Sequence, residues 1–178
     1  MPDATGLELI AAGVRERLGD EAVAGTIYHR GQATLEVAPD AVHDALAYLR
    51  DDAEEPFEFL MSVHGCDYFP EEPRLGVHYQ LLAMQRTDRL GVRTRLGADD
   101  PHVPTVVDIF PGADFQEREV YDMFGVIFDG HPDHRRILMP EDYEGFPQRR
   151  DFPIGGEPIL FTQDEPKGND YTIGTGTR

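Results

Sequence analysis

Residues 74–96, RLGVHYQLLAMQRTDRLGVRTRL, read as two long β-strands joined near Thr87-Asp88. In the second, Leu90, Val92, Thr94 and Leu96 point one way while Arg93 and Arg95 point the other. That period of two is the mark of a strand with one buried and one open face. Upstream, FEFLMSV (57–63) sets Phe57, Phe59, Met61 and Val63 against Glu58, Leu60 and Ser62, a third strand. GTIYHR (25–30) and ATLEVA (33–38) form a hairpin about Gly31-Gln32. Two amphipathic helices complete the set. LELIAAGVRERL (7–18) aligns Leu7, Ile10, Ala11, Val14 and Leu18, with Gly19 as its C-cap. PDAVHDALAYLRDD (39–52) starts at Pro39 and aligns Val42, Ala45, Leu46 and Leu49. The order is α-β-β-α-β-β-β, which predicts a two-layer α+β domain over residues 1–98 with a five-stranded mixed sheet. The Pro-rich, acidic HGCDYFPEEP (64–73) reads as a surface loop.

Composition narrows the function. A chain of 178 residues supports one domain with an extension. No apolar run approaches the roughly 20 residues of a membrane-spanning helix, and the first residues lack the basic and apolar regions of a signal peptide. The single Cys66 excludes an internal disulfide and a four-cysteine iron–sulfur cluster on this chain alone. A net charge of −18 opposes nucleic-acid binding. Residues 1–73 hold 16 acidic and 4 basic groups, whereas residues 74–178 hold 18 and 12, so the mixed charge lies C-terminal.

The pattern changes after Ala98. Residues 101–125, PHVPTVVDIFPGADFQEREVYDMFG, hold two short helix candidates. Thr105 with Asp108 resembles a capping box. Phe115, Val120, Met123 and Phe124 form an apolar stripe that ends at Gly125. Residues 126–158 are rich in Pro, Gly, Arg and aromatics and have little periodicity. A long irregular segment of that composition is functional rather than disordered. Residues 99–158 therefore read as a helical and irregular extension that docks on partners, and 159–178 as a polar tail.

Three chemistries compete for the extension. Glu117, Glu119, Asp122, Glu141, Asp142 and Glu144 could supply an acid–base pair, but nothing singles out two of them. His131, Asp133 and His134, or His64, Cys66 and Asp67, could ligate a metal, but neither set has a second motif at zinc-finger spacing. No Rossmann or P-loop glycine pattern is present, and Ser62, the only Ser, has no nucleophile-elbow context. The third reading is an interface. Arg118, Arg135, Arg136, Arg149 and Arg150 lie among Tyr121, Phe124, Phe128, Tyr143, Phe146 and Phe152, the Arg-and-aromatic mixture of protein contacts. A solvated charged face with a few core aromatics is equally compatible with the same residues.

EREVYDMFGVIFDGHPDHRRIL (117–138) resembles the signature of the thirty-kilodalton (C) subunit family of respiratory complex I, the proton-pumping NADH-quinone oxidoreductase. Glu117, Arg118, Glu119, Asp122, Met123, Phe124, His131, Arg135, Ile137 and Leu138 fill its positions, and ILMPEDYEGFPQRRDFP (137–153) resembles its continuation. Phe115 stands where the family often has Trp, and Phe146 where it often has His. The resemblance implies a subunit without catalytic, metal or cofactor-binding residues, while FMN and iron–sulfur clusters lie on partner subunits. It implies a place in the hydrophilic arm, peripheral on the cytoplasmic side of the cell membrane. The partners it implies are the hydrogenase-like (D) subunit together with the B and I subunits, with membrane contact only through the complex. The assembly would pass electrons from NADH to quinone and translocate protons. The equivalent subunit of a membrane-bound hydrogenase or other-donor quinone reductase shares the signature. The resemblance assigns the interface to Glu117, Arg118, Glu119, Tyr121, Asp122, Phe124, Gly125, His131, Pro132, Arg135, Arg136, Leu138, Glu144, Gly145, Arg149, Arg150 and Asp151. Arg118 and its neighbouring carboxylates are expected in buried or interfacial pairs.

Overall fold

The structure, a computed structural model, describes residues 2–153; residues 154–158 of the expected extension and the expected tail at 159–178 lie outside them. The order is α1 (Ala4–Leu18), β1 (Val23–His29), β2 (Gln32–Val37), α2 (Val42–Asp51), β3 (Phe59–Asp67), β4 (Leu75–Ala83), β5 (Asp88–Leu96), β6 (His102–Pro104), α3 (Ala113–Phe124) and β7 (Ile127–Asp129). Short 3-10 turns precede β1 and α2. The first five strands form one sheet in the order β1-β2-β5-β4-β3, with β2 and β5 parallel and the other neighbours antiparallel. The α+β class with a five-stranded mixed sheet is the one expected.

The local chemistry explains the elements. The Asp3 carboxylate caps α1 by accepting from the Gly6 N–H at 2.7 Å. The β1–β2 hairpin turns through Arg30 and Gly31, both at positive φ, a conformation that glycine adopts without strain. In α2, Val42, Ala45, Leu46 and Leu49 are all fully buried. They meet Leu7, Ala11 and Val14 of α1 and the inward residues of the sheet, including Leu35, Val77, Tyr79, Leu81, Leu90 and Val92, in one apolar cluster.

Strand β3 departs from expectation twice. It runs on through His64–Asp67, so the loop begins at Tyr68 rather than His64. A β-bulge between Leu60 and Ser62 also shifts the pairing with β4. The extra residue reverses the alternation midway, so Leu60 is buried while Phe59 and Met61 are turned outward. The free edge of β3 is covered by α3: the Val63 N–H donates to the Gln116 side chain, and the Phe124 ring occupies the space that a Cβ on Gly65 would need. Covering an edge in this way removes a template for unwanted strand pairing.

Among its described residues the extension has one helix, not two. Residues 107–109 form only a turn, and Thr105 serves Glu117 rather than Asp108. Phe115 does not join the apolar stripe; it is 63% exposed, whereas Val120 and Met123 are buried. Gly125 ends α3 in the left-handed conformation, as expected. Two three-residue strands, β6 and β7, pair in parallel and carry Val103 and Phe128 into the main core. No helix among the described residues is long and apolar enough to cross a membrane.

Candidate docking site

Residues 130–153 form a strap that adds no side chain to the buried apolar cluster. Polar anchors hold it instead, and α3 supplies most of them. Asp122 is the central one. Its buried carboxylate accepts the backbone N–H groups of Ile137, Leu138 and Met139 at 3.0, 2.7 and 2.8 Å and the Arg136 guanidinium at 2.6 Å. Burial opposes its ionisation, but these donors outweigh it and its pKa lies below the usual value.

Arg118 turns away from Glu117 and Glu119. Its guanidinium donates to the carbonyls of Arg135 and Arg136, both at 3.2 Å, and approaches the Asp133 carboxylate at 3.7 Å. Its carboxylate partner is thus Asp133 rather than either flanking glutamate, and its other donors capture strap backbone. Helical geometry gives the reason, because residues adjacent in sequence point in different directions. Glu119 is exposed. Glu117 is fully buried and accepts from the Thr105 hydroxyl at 2.5 Å and the Val106 N–H at 2.8 Å. Burial pushes its pKa up to about 7.

The His131 ring is buried beside it, with Nε2 3.9 Å from the Glu117 carboxylate. Its Nε2–H donates to the Asp114 carbonyl at 3.2 Å and its Nδ1 accepts the Asp133 N–H at 3.0 Å. Both ring nitrogens thus serve backbone. His134 Nε2 accepts the Phe128 N–H at 3.2 Å, and its ring packs on Tyr121. Among the described residues, no three His, Cys, Asp or Glu side chains converge as a metal site.

The far end of the strap returns to the sheet. The Gln148 N–H and the Arg149 Nε–H donate to the carbonyls of Met123 and Phe124 at 3.1 and 2.7 Å. Phe146 lies over Gly125, where a Cβ would meet its ring at 2.5 Å, and it carries Arg136 and Arg149 against its face. Gly145 adopts positive φ, and its carbonyl accepts from Arg136. Asp67, at the end of β3, accepts two bonds from Arg74, at 2.9 and 2.6 Å, and the Arg150 N–H at 2.8 Å. Arg74 also clamps Asp151 through two bonds of 2.8 and 2.6 Å. The Arg74 guanidinium holds the Asp67 carboxyl far below the usual carboxylate range.

The structure thus gathers Arg118, Tyr121, Asp122, Phe124, Gly125, His131, Arg135, Arg136, Gly145 and Arg149 around α3, and Arg150 and Asp151 around Arg74. Glu119, Pro132, Leu138 and Glu144 face outward, Leu138 with 60% of its surface exposed. Sequence reading missed Arg74, gave Thr105 a capping role with Asp108 in place of its bond to Glu117, and weighed Asp67 only as a metal ligand. The one local signal was a carboxylate seven residues before an Arg across a Pro-rich turn.

A family described as "Respiratory-chain NADH dehydrogenase, 30 Kd subunit" matches residues 35–158. The NADH-quinone oxidoreductase C subunit of Saccharopolyspora erythraea is 48% identical over 150 residues, covering 83% of this chain and 60% of that protein. The protein of the same name from Roseiflexus sp. (strain RS-1) is 39% identical over 167 residues, covering 94% and 93%. This chain spans about three-fifths of the length of the Saccharopolyspora and Salinispora relatives that it matches. Among solved structures, the trypsin-resistant fragment of Nqo5 aligns with a TM-score of 0.61 at 29% identity, over 71% of this chain and 98% of the fragment. A chain of the membrane-bound sulfane sulfur reductase, an archaeal respiratory membrane complex, aligns with a TM-score of 0.67 at 26% identity, over 91% and 97%. With a signature held on α3, a match over most of its length and relatives at this identity, the chain belongs to the family of the respiratory-chain NADH dehydrogenase 30 Kd subunit.

Proposed function

We propose that this chain is a structural and assembly subunit of the hydrophilic arm of a proton-translocating NADH-quinone oxidoreductase, with no active site and no cofactor of its own. It supports electron transfer from NADH to quinone by positioning its neighbours on the cytoplasmic side of the membrane, first the hydrogenase-like (D) subunit and also the B and I subunits. The observation that carries this reading is the strap. Its backbone is fixed by buried charges, while Leu138 on the strap and Phe115 on α3 remain exposed. A segment made rigid by buried charges while apolar side chains point outward is built to be covered. The residues that sequence marks as reactive, Glu117, Asp122, His131 and His134, spend their polar atoms on internal hydrogen bonds, which favours scaffolding over chemistry.

A second reading has its own observation. The likeness to the sulfane sulfur reductase chain covers 91% of this chain, so the same scaffold serves a respiratory complex of another name. The equivalent subunit of an other-donor complex or hydrogenase is the alternative. Co-expression tests the main reading: the D, B and I subunits should co-purify with this chain and protect residues 99–178 from protease. NADH oxidation by the native assembly selects the first reading and hydrogen evolution the second. A chain that remains monomeric beside all three of those proteins overturns both.

A further inference from the structure

We propose that the open face of the five-stranded sheet, centred on Arg89, is a second docking surface, and that it receives an acidic segment of a neighbouring protein in the assembly. The inference rests on the reading of this chain as part of a multisubunit complex.

The helices α1 and α2 cover one face of the sheet. On the other face the strand register aligns side chains in rows. Glu36, Arg93, His78 and His64 lie across β2, β5, β4 and β3. The neighbouring row is Thr34, Gly91, Gln80 and Ser62. Gly91 lowers the middle of that row, since a Cβ there would meet the Thr34 hydroxyl at 3.0 Å. The result is a groove of about 250 Å³ lined by Gln32, Thr34, Met61, Ser62, Gln80 and Arg89. The bulge in β3 places Phe59 and Met61 beside it, 50% and 39% exposed. Aromatic, Met and Arg side chains around polar groups form the composition of an interface centre rather than of a solvated face.

Charge identifies the occupant. The chain carries a net charge of −18, yet this face is locally positive. Arg89 is exposed and has no ion-pair or hydrogen-bond partner among the described residues. Arg93 directs one guanidinium nitrogen at Glu36, while its buried Nε has no partner among them. Glu36, the one carboxylate in these rows, is thereby neutralised. Burial, reinforced by the charges of His64, Arg93 and Arg95, pushes the His78 pKa down to about 4, as expected where positive groups face one another. A carboxylate-bearing segment would supply the missing counter-charge to Arg89, and its apolar neighbours would pack on Phe59 and Met61. Complementarity of this kind fixes register and partner choice.

The test uses the full chain in its native assembly. Arg89→Glu should reduce the amount of this chain retained in the complex by about tenfold at moderate salt, and Arg89→Lys should retain it. Because Arg89 makes no polar contact among the described residues, the thermal midpoint of isolated Arg89→Glu should match wild type; Gln80→Glu, in the same groove, provides a second charge insertion should it not. A photo-crosslinking residue at Thr34 should yield an adduct with a segment of another protein of the complex that contains Asp or Glu. Retention of both charge variants at wild-type levels overturns the proposal, as does an adduct confined to this chain's own C-terminal residues or to a segment without acidic groups. Failure of the wild-type chain to enter any assembly would instead remove the functional reading beneath it.

Discussion

The sheet and the strap are stabilised by different physics. Between Leu7 and Phe128 the chain buries a continuous apolar cluster, with Tyr79, Phe57, Phe128 and seven leucines among its largest fully buried side chains. Residues 130–153 contribute nothing to that cluster and depend on two carboxylates, Asp122 and Asp67, and on the arginines around them. Apolar burial is non-directional and spread over many contacts. A buried carboxylate that accepts several N–H groups is directional and concentrated in one residue. The core should therefore fail as a unit and the strap at a point.

The most direct way to break that contrast is Asp122→Ala. It leaves three backbone N–H groups and the Arg136 guanidinium without their acceptor. Removing one member of a buried charged pair costs about 3–5 kcal/mol. Trypsin should then cut rapidly at Arg135, Arg136 and Arg149, while amide exchange in β4 and β5 stays at wild-type rates. Equal loss of protection in the sheet would show that the two regions unfold together.

Leu81→Ala tests the other side. Leu81 is fully buried in β4, two residues before its end, and a large-to-small change of this kind costs about 2–5 kcal/mol. The expected result is a lower urea midpoint with one cooperative transition and exchange that rises throughout the sheet. A loss confined to the strap would contradict it.

The same contrast governs what could be read from sequence. Apolar periodicity is local, so α1, α2, β2, β4 and β5 were legible from a few residues each. The bulge at Met61 was not, because one inserted residue reverses the alternation and FEFLMSV looks regular either way. Strands β6 and β7, three residues each, are too short to show a period. The strap anchors join residues far apart in sequence, Asp67 with Arg150 and Arg74 with Asp151, and Thr105 meets Glu117 only because a turn brings it back over α3. Family resemblance marked Glu117, Asp122, Arg136 and Arg150 as belonging together. It did not show that Arg118 serves carbonyls or that Phe115 points outward, because direction around a helix depends on which face is already buried.

Glu117 lies at the seam and sharpens the comparison through pH. Its pKa is pushed by burial from 4.5 to about 7. Between those values the folded chain keeps a proton that the unfolded chain has released, so stability falls as pH rises through this window. The contribution is complete below the ordinary glutamate value and lost above about 7, and it amounts to about 3 kcal/mol. The buried neutral histidines, His78 above all, act in the opposite direction, so urea denaturation from about pH 5 to about pH 8 isolates the Glu117 contribution as the difference between wild type and Glu117→Gln. Glu117→Gln, a neutral isostere, should gain on wild type steadily as pH rises through this window and exceed it in stability at the alkaline end. A difference between the two profiles that stays flat over the same range would mean that Glu117 is ionised in the folded chain.

The smallest effect on stability should come from the residues that matter most to a partner. Phe115 and Leu138 are 63% and 60% exposed, and substitutions at exposed positions usually change stability by no more than about 0.5 kcal/mol. Phe115→Ala and Leu138→Ala should thus leave the isolated chain's thermal midpoint nearly unchanged. Each should nevertheless weaken co-purification with the rest of the complex, because an apolar side chain held outward beside polar anchors gains its burial only when another chain covers it. Asp122→Ala would lower assembly too, but by releasing the strap. The exposed-residue variants should lower assembly with the strap still resistant to trypsin, and that separation distinguishes a surface that binds from a segment that merely has to fold.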